Sequence, residues 1–326
     1  MGARRYGRGC RRHEMACRRM ELDVDVEEID VTAWAVIRDE PGGRDQHKRW
    51  IAERADAPRE DHWLWKVRQA TGDGSELALT DCAEVFTSRL AAAIDLPAAD
   101  CRFAVLDGVA GLISRNVTPR GFALNSGATY LPEVEGYKRK TMGSASATGR
   151  MRRDHGYTLD AVEEVLQAVG PPPGSPNFSA FEVFSGFLVL DALVANGDRH
   201  PGNWAILERQ ADGVRFLAPT YDHGSALGAG LTEANRRDKS PEEFARRGRA
   251  NPFEPRKQFL VGLALEAVRR SGARHWLQRI AALDGATIRA TLDAPPGKLS
   301  VVAATFVERV VLENQRRLCH DNDASD

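Results

Sequence analysis

The chain has 326 residues, of which 42% are hydrophobic and 28% are charged, and its formal net charge at pH 7 is −1. This is the balance of an ordinary globular protein, and it gives the chain as a whole no electrostatic reason to bind nucleic acid. No apolar run approaches the roughly 18 residues that a membrane span requires, so a membrane partner is not expected.

The chain begins with an arginine-rich stretch, MGARRYGRGCRRHEMACRR, which lacks the apolar core of a secretory signal. Residues 1–19 are predicted to be a disordered basic tail, or to precede a true start at Met20. An arm that binds RNA or DNA is the alternative. The five cysteines form no C-x-x-C pair. A zinc site or a disulfide framework is therefore not expected, and the predicted compartment is a reducing cytoplasm.

The first half of the chain predicts an antiparallel sheet crossed by one helix. Asp107-Gly108 is a pair preferred in two-residue hairpin turns, and it separates two of the predicted strands. A helix is predicted at residues 81–94, DCAEVFTSRLAAAI, and it ends before Pro97. Four segments have the composition or alternation of strands: residues 46–52, 62–68, 101–106 and 111–117.

A connection rich in glycine, proline, threonine and basic residues, 119–155, leads into a mostly helical second half. The sequence therefore predicts an α+β fold of two lobes. Residues 20–135 are the predicted N-lobe, with a small antiparallel sheet and one main helix. Residues 136–326 are the predicted C-lobe, which is mostly helical and contains one β-hairpin.

The residues best suited to chemistry lie between Asn196 and Gly224, in NGDRHPGNWAIL…LAPTYDHG. Two short apolar strands flank Asp212-Gly213, which is predicted to form a two-residue hairpin turn. Residue 211 would then face residue 214, and the same register would place Asn203 opposite Asp222. Opposed residues have Cβ atoms about 4.5–5.5 Å apart, close enough for two side-chain oxygens to share one Mg²⁺.

Asp198 precedes Asn203 by five residues, the D-x-x-x-x-N spacing. A carboxylate at that position can orient an acceptor hydroxyl and take its proton beside a metal site. His200 is a further candidate, as a catalytic group or as a metal ligand, with a loop-fixing hydrogen bond as the alternative. Each of these residues alone could serve in a turn or a cap. Together with Asp222, they indicate a phosphotransfer site.

The string NGDRHPGNW followed by LAPTYDHG resembles the C-terminal domain of HipA-like kinases, a branch related to phosphatidylinositol kinases and more distantly to eukaryotic-type protein kinases. The resemblance covers roughly residues 42–318 and implies a two-lobed protein-kinase-like fold. It also implies an enzyme that uses ATP and Mg²⁺, with Asp198 as the catalytic base and with Asn203 and Asp222 as Mg²⁺ ligands.

The same resemblance extends to the nucleotide side of the site. WLWKVR looks like the strand that carries the lysine for the ATP phosphates, and this makes Lys66 the phosphate contact; an exposed edge-strand lysine is the alternative. Glu84 is the expected helix carboxylate that holds Lys66, with Asp81 as its rival. Gly42 and Gly43 are the candidates for backbone near the phosphates, although a developed glycine-rich loop is missing.

The resemblance favours serine or threonine of a protein as the acceptor. A small molecule or a lipid head group is the alternative, because the D-R-H-x-x-N string also resembles lipid kinases. A pseudokinase that binds nucleotide and a partner without turnover is a third possibility.

Overall fold

The computed structural model describes residues 26–37, 48–139 and 154–323. The predicted tail at residues 1–19 and the candidate glycines Gly42 and Gly43 lie outside the described residues. The described part is a mixed α and β fold whose sheets are mainly antiparallel. No helix within it is long and apolar enough to cross a membrane.

The first sheet has six strands in the order β1-β5-β6-β4-β3-β2, and all neighbours are antiparallel except β1 and β5. The hairpin turn predicted at Asp107-Gly108 is confirmed, because Leu106 pairs with Val109. The strands are β1 Ile29–Asp30, β2 Ala35–Val36, β3 Lys48–Ala52, β4 Trp63–Val67, β5 Cys101–Leu106 and β6 Val109–Arg115.

The two faces of β4 have different roles, as the alternation of its side chains requires. Trp63 and Trp65 pack with Ile51 and Ile113 on one face. Lys66 lies on the other face, which is covered by the helix α1, Thr80–Ala93. The predicted helix at residues 81–94 is thus found, and it brings its carboxylates to the face that carries the lysine.

A long apolar core continues from α1 into the second half of the chain. Its centre is the helix α4, Ala180–Leu193, in which every residue except Glu182 is buried. Ser179 and Glu182 form a capping box that satisfies the first amides of α4. The other helices are α2 Gly127–Tyr130, α3 Leu159–Leu166, α5 Glu233–Asp238, α6 Pro241–Arg246, α7 Leu260–Ser271, α8 His275–Ala281, α9 Gly285–Thr291 and α10 Val301–Asp323.

A second sheet has three antiparallel strands, β7 Phe122–Ser126, β8 Ala205–Arg209 and β9 Arg215–Leu217. β7 lies within the segment interpreted as a long connection. It comes before the predicted boundary at residue 135, yet it pairs with β8. The boundary itself stays a prediction, but the second sheet draws on residues from both sides of it.

The predicted register of the β8–β9 hairpin is wrong. Arg209 N–H donates to Val214 O and Gly213 N–H donates to Arg209 O, so the loop has four residues rather than two. The reason is Asp212, whose carboxylate accepts from the Arg209 guanidinium and from Val214 N–H. The shift is two residues, which keeps every side chain on its predicted face. Regular pairing ends at Leu217, well before Asp222.

Candidate functional site

Lys66 lies at the meeting point of three elements. Its Nζ donates to Glu84 Oε1 on α1 at 2.6 Å and to Asp222 Oδ1, in the segment after β9, at 3.1 Å. Lys66 and Glu84 are buried, whereas the side chain of Asp222 is half-buried. The lysine is therefore not an edge-strand surface residue, and the helix partner expected for it is in contact with it.

The charges of this cluster support one another. Burial alone would lower the pKa of Lys66, but Glu84 and Asp222 outweigh it, and the pKa of Lys66 lies above its ordinary value. Burial also opposes ionisation of Asp222, yet Lys66 and Lys48 hold the pKa of Asp222 at about 2. Burial raises the pKa of Glu84 against the attraction of Lys66. Near neutral pH the cluster thus offers a cation beside an ionised carboxylate.

Asp81, the rival for the contact with Lys66, has other partners. Its Oδ2 accepts from Lys298 Nζ at 3.2 Å, and its Oδ1 lies 3.4 Å from Arg68 Nε. Asp81 and Glu84 are three residues apart on α1 and share a face, so the sequence alone could not choose between them.

The loop after α4 carries Asp198, His200 and Asn203. Asn203 Nδ2 donates to the backbone oxygen of Asp198 at 2.8 Å, which fixes the loop and leaves Asn203 Oδ1 as an acceptor. Asp198 Oδ2 accepts from the hydroxyl of Ser225 at 3.3 Å. His200 is exposed, and its Nδ1 accepts from Gly202 N–H at 3.0 Å. That contact is the loop-fixing alternative for His200, and its catalytic role stays a prediction.

Asp222 has an unusual backbone conformation. Its φ is +63°, in the left-handed region that residues other than glycine seldom adopt. Such conformations concentrate at functional positions, where the surrounding structure imposes them. Here the conformation turns the chain sharply after Tyr221, so that the carboxylate reaches Lys66.

A buried network of polar side chains holds the loop that follows α4. The Arg199 guanidinium makes two hydrogen bonds of 2.8 Å to Asp191, and Asn196 Nδ2 donates to Asp191 Oδ1 at 2.7 Å. Arg199 also donates to the backbone oxygen of Asn203. Asp191 was not among the predicted site residues. The signal for it was present, because it is a carboxylate inside an almost wholly apolar helix.

His223 closes this network as a neutral acceptor. Its Nε2 receives Arg199 Nη2 at 3.2 Å and Thr220 Oγ1 at 2.9 Å. Because arginine can only donate, Nε2 carries no proton. Burial and the charge of Arg199 lower the pKa of His223 well below 6.5.

This histidine should make stability depend on pH. Below its ordinary pKa the unfolded chain takes up a proton at His223 and the folded chain does not, so stability is lost as pH falls. His223→Gln keeps an acceptor but cannot titrate. Between about pH 7 and 5.5, the free energy of unfolding of this variant should fall by about 1 kcal/mol less than that of the wild type. Urea unfolding at both pH values measures the difference, and equal losses would contradict a neutral His223.

Two connected cavities surround Lys66 and Asp222. The larger, of about 720 Å³, extends along the first sheet and is lined by Trp50, Leu64 and residues 116–118. The smaller, of about 160 Å³, contains Asp198, His200, Asn203, Glu84 and Ser225 in its wall. Both cavities include Lys48, a residue that the sequence reasoning missed. Lys48 could have been found because it lies in β3 directly opposite Lys66.

The donor set fits a magnesium ion bound together with a nucleotide. Asp222 and Asn203 line the same small cavity and provide the hard oxygen ligands that Mg²⁺ prefers. Mg²⁺ is usually held by one or two protein carboxylates together with phosphates and water, so two protein oxygens are enough. Asp222 enters this cavity after the regular strand pairing has ended at Leu217, so the predicted hairpin register does not account for the shared cavity.

Comparisons with known proteins indicate the family and the fold of the chain. A family model described as the HipA-like C-terminal domain matches residues 40–282, more than half of the chain. The crystal structure of the Helicobacter pylori proinflammatory kinase CtkA is similar at a TM-score of 0.61 and 16% identity, covering 92% of this chain and 99% of that chain. At that identity the likeness supports a common fold alone.

A structure of Shewanella oneidensis HipA with HipB and operator DNA matches at a TM-score of 0.47 and 13% identity, over 81% of this chain and 58% of that chain. A search of curated protein sequences finds no match.

Proposed function

The chain belongs to the family of HipA-like C-terminal domains, and from this premise we propose that it is an ATP- and Mg²⁺-dependent kinase of serine or threonine in a protein. The observation that carries the proposal is the position of Lys66 Nζ between Glu84 and Asp222, at 2.6 Å and 3.1 Å. The small cavity beside it also contains Asp198 and Asn203. The Helicobacter pylori kinase CtkA has a similar fold.

Each residue has a chemical part in this proposal. Lys66 binds phosphate oxygens of the nucleotide, with Lys48 as a second cation at the same cavity. Asp222 and Asn203 would hold Mg²⁺, which neutralises phosphate charge when bound. Asp198 orients the acceptor hydroxyl and takes its proton. The 3.3 Å contact from Ser225 Oγ supports this role, because a hydroxyl of the chain already lies within reach of the carboxylate.

The transfer itself needs no covalent enzyme intermediate. The acceptor oxygen forms a bond to the terminal phosphorus of ATP, and the bond from that phosphorus to the bridging oxygen breaks. The products are a phosphate ester and ADP, and the proton of the hydroxyl passes to Asp198.

Asp222→Asn is the first test of this function. Purified protein is incubated with terminally labelled ATP, Mg²⁺ and a cell extract, and the label is followed into protein and into small molecules. We expect the wild type to transfer label to protein. Asp222→Asn should transfer it at least about 100-fold more slowly, because the amide binds Mg²⁺ less well than a carboxylate does. Asp73→Asn, at an exposed loop carboxylate, is the control and should retain the wild-type rate.

Three outcomes would revise the proposal. Label in a small molecule or lipid would keep the kinase and change the acceptor. Stabilisation by ATP without any transfer would favour a pseudokinase. Transfer that is equal in the wild type and in Asp222→Asn would exclude this site.

A further inference from the structure

The contacts that α1 makes within the nucleotide site are too few to fix the position of this helix. Glu84 holds Lys66 through Oε1 alone, and its Oε2 is buried without a hydrogen-bond partner among residues that the structure describes. The contact is 2.6 Å long, so a displacement of α1 by about 1 Å would end it. Contacts outside this pair, in the apolar core around α1 and in charged groups elsewhere, must therefore fix the position and rotation of this helix.

A second buried charge cluster lies one turn earlier on α1. Asp81 is fully buried between Lys298 Nζ, at 3.2 Å, and Arg68 Nε, at 3.4 Å. Lys298 Nζ also pairs with Glu28 Oε1 at 2.6 Å and lies 5.2 Å from the centre of the Phe103 ring. The two cations and two carboxylates offset one another, which the burial of Asp81 and Lys298 requires, whereas the side chain of Glu28 is 29% exposed.

Lys298 belongs to the segment between α9 and α10, residues 292–300, which we call the strap. The backbone oxygen of Asp293 accepts from Arg89 Nη1 at 2.6 Å, near the other end of α1. Asp81 and Arg89 are eight residues apart, or about two helical turns. The strap thus contacts α1 at two points, and Lys298 provides the buried one.

We propose that Lys298 is a positioning residue for the Lys66–Glu84 pair. Asp81 and Glu84 lie on the same face of α1, so the bond that holds Asp81 also fixes the rotation that points Glu84 at Lys66. Glu28 completes the anchor from the segment before β1. The link to catalysis rests on the proposed function, whereas the anchoring of α1 can be tested without it.

A purely structural role for Lys298 would give a different pattern. Losing a buried ion-pair partner destabilises a fold generally, because the remaining charge is uncompensated. A general loss of stability would loosen many parts of the chain equally. A positioning role predicts a change that is concentrated at α1 and Lys66.

The test measures the rate at which an acylating reagent modifies Lys66 in the folded protein without nucleotide, read by mass spectrometry. Hydrogen exchange of the α1 amides is followed in parallel. In Lys298→Met, Lys66 should react about tenfold faster and the α1 amides should exchange faster. Lys298→Arg should restore most of the protection. If Lys298→Met does not fold, Glu28→Gln carries the same measurement, with a smaller increase expected.

Two control variants distinguish a positioning role of Lys298 from a purely structural one. Lys239→Met removes an exposed lysine at the end of α5 and should leave Lys66 unchanged. Val310→Ala removes buried volume from α10 and lowers global stability without touching the strap. Unchanged acylation in Lys298→Met, or an equal increase in Val310→Ala, would overturn the positioning role.

A double-mutant cycle then tests the route of the effect. Lys298→Met should lower kcat/KM for phosphotransfer about tenfold in the wild type and hardly at all in the Glu84→Gln background. Effects that multiply would show that Lys298 does not act through Glu84, and would overturn the proposal. A wild type that transfers no phosphate would contradict the proposed function, while acylation of Lys66 would still decide the role of Lys298.

Discussion

Asp198→Asn is expected to lower the kcat of phosphotransfer by about 10²–10⁴-fold, the range that general base catalysis contributes. Asparagine has nearly the same shape and can still accept the hydroxyl of Ser225, but it cannot take a proton. Nucleotide affinity should stay within about twofold, because Asp198 is not among the groups that contact Lys66. Rapid-quench kinetics give the first value. Titration calorimetry with the nucleotide gives the second.

Ser225→Ala is the matched control for that experiment. It removes the hydroxyl that contacts Asp198 and leaves the carboxylate, so kcat should stay within about threefold of the wild type. An Asp198→Asn variant that retains more than about a tenth of the wild-type kcat would remove Asp198 from proton transfer.

Asp191→Ala is expected to cost about 3–5 kcal/mol of stability, because it leaves the buried Arg199 guanidinium without its carboxylate. The pair is almost fully buried, with side-chain exposures of 3% for Arg199 and 1% for Asp191. Asn196 would lose a partner as well. Urea unfolding followed by circular dichroism measures the loss.

An exposed pair on the β8–β9 hairpin provides the comparison. Asp212 and Arg209 lie 2.8 Å apart but are nearly half exposed, so Asp212→Ala should cost only about 0–1 kcal/mol. The double variant Asp191→Leu with Arg199→Met should be more stable than Asp191→Ala, because it removes both buried charges together. A loss below about 1 kcal/mol in Asp191→Ala would mean that water reaches Arg199.

The segment proposed to be catalytic could be singled out from sequence because its members are close along the chain. Asp198, Asn203 and Asp222 lie within 25 residues, and their spacing carries the chemistry. The register of the β8–β9 hairpin could not be predicted in this way. Asp212-Gly213 suits a two-residue turn, but the Asp212 side chain captures Arg209 and Val214 and lengthens the loop.

The supporting networks could not be predicted because their members are distant in sequence. Lys298 and Asp81 are 217 residues apart, and neither belongs to a motif. β7 was missed because FALNS is short and shows no regular alternation. Helix and strand patterns indicate which face of an element is buried, but they do not indicate which distant residue will cover it.

Within the described residues, the strands of the first sheet all precede those of the second, and residues 116–121 connect β6 to β7. Asn116, Val117 and Thr118 in this passage also line the larger cavity. A ligand in this cavity would therefore contact the backbone that joins the two sheets. Binding of a ligand there should slow the hydrogen exchange of the amides of residues 116–118. The exchange rate of these amides would then report whether the cavity is occupied.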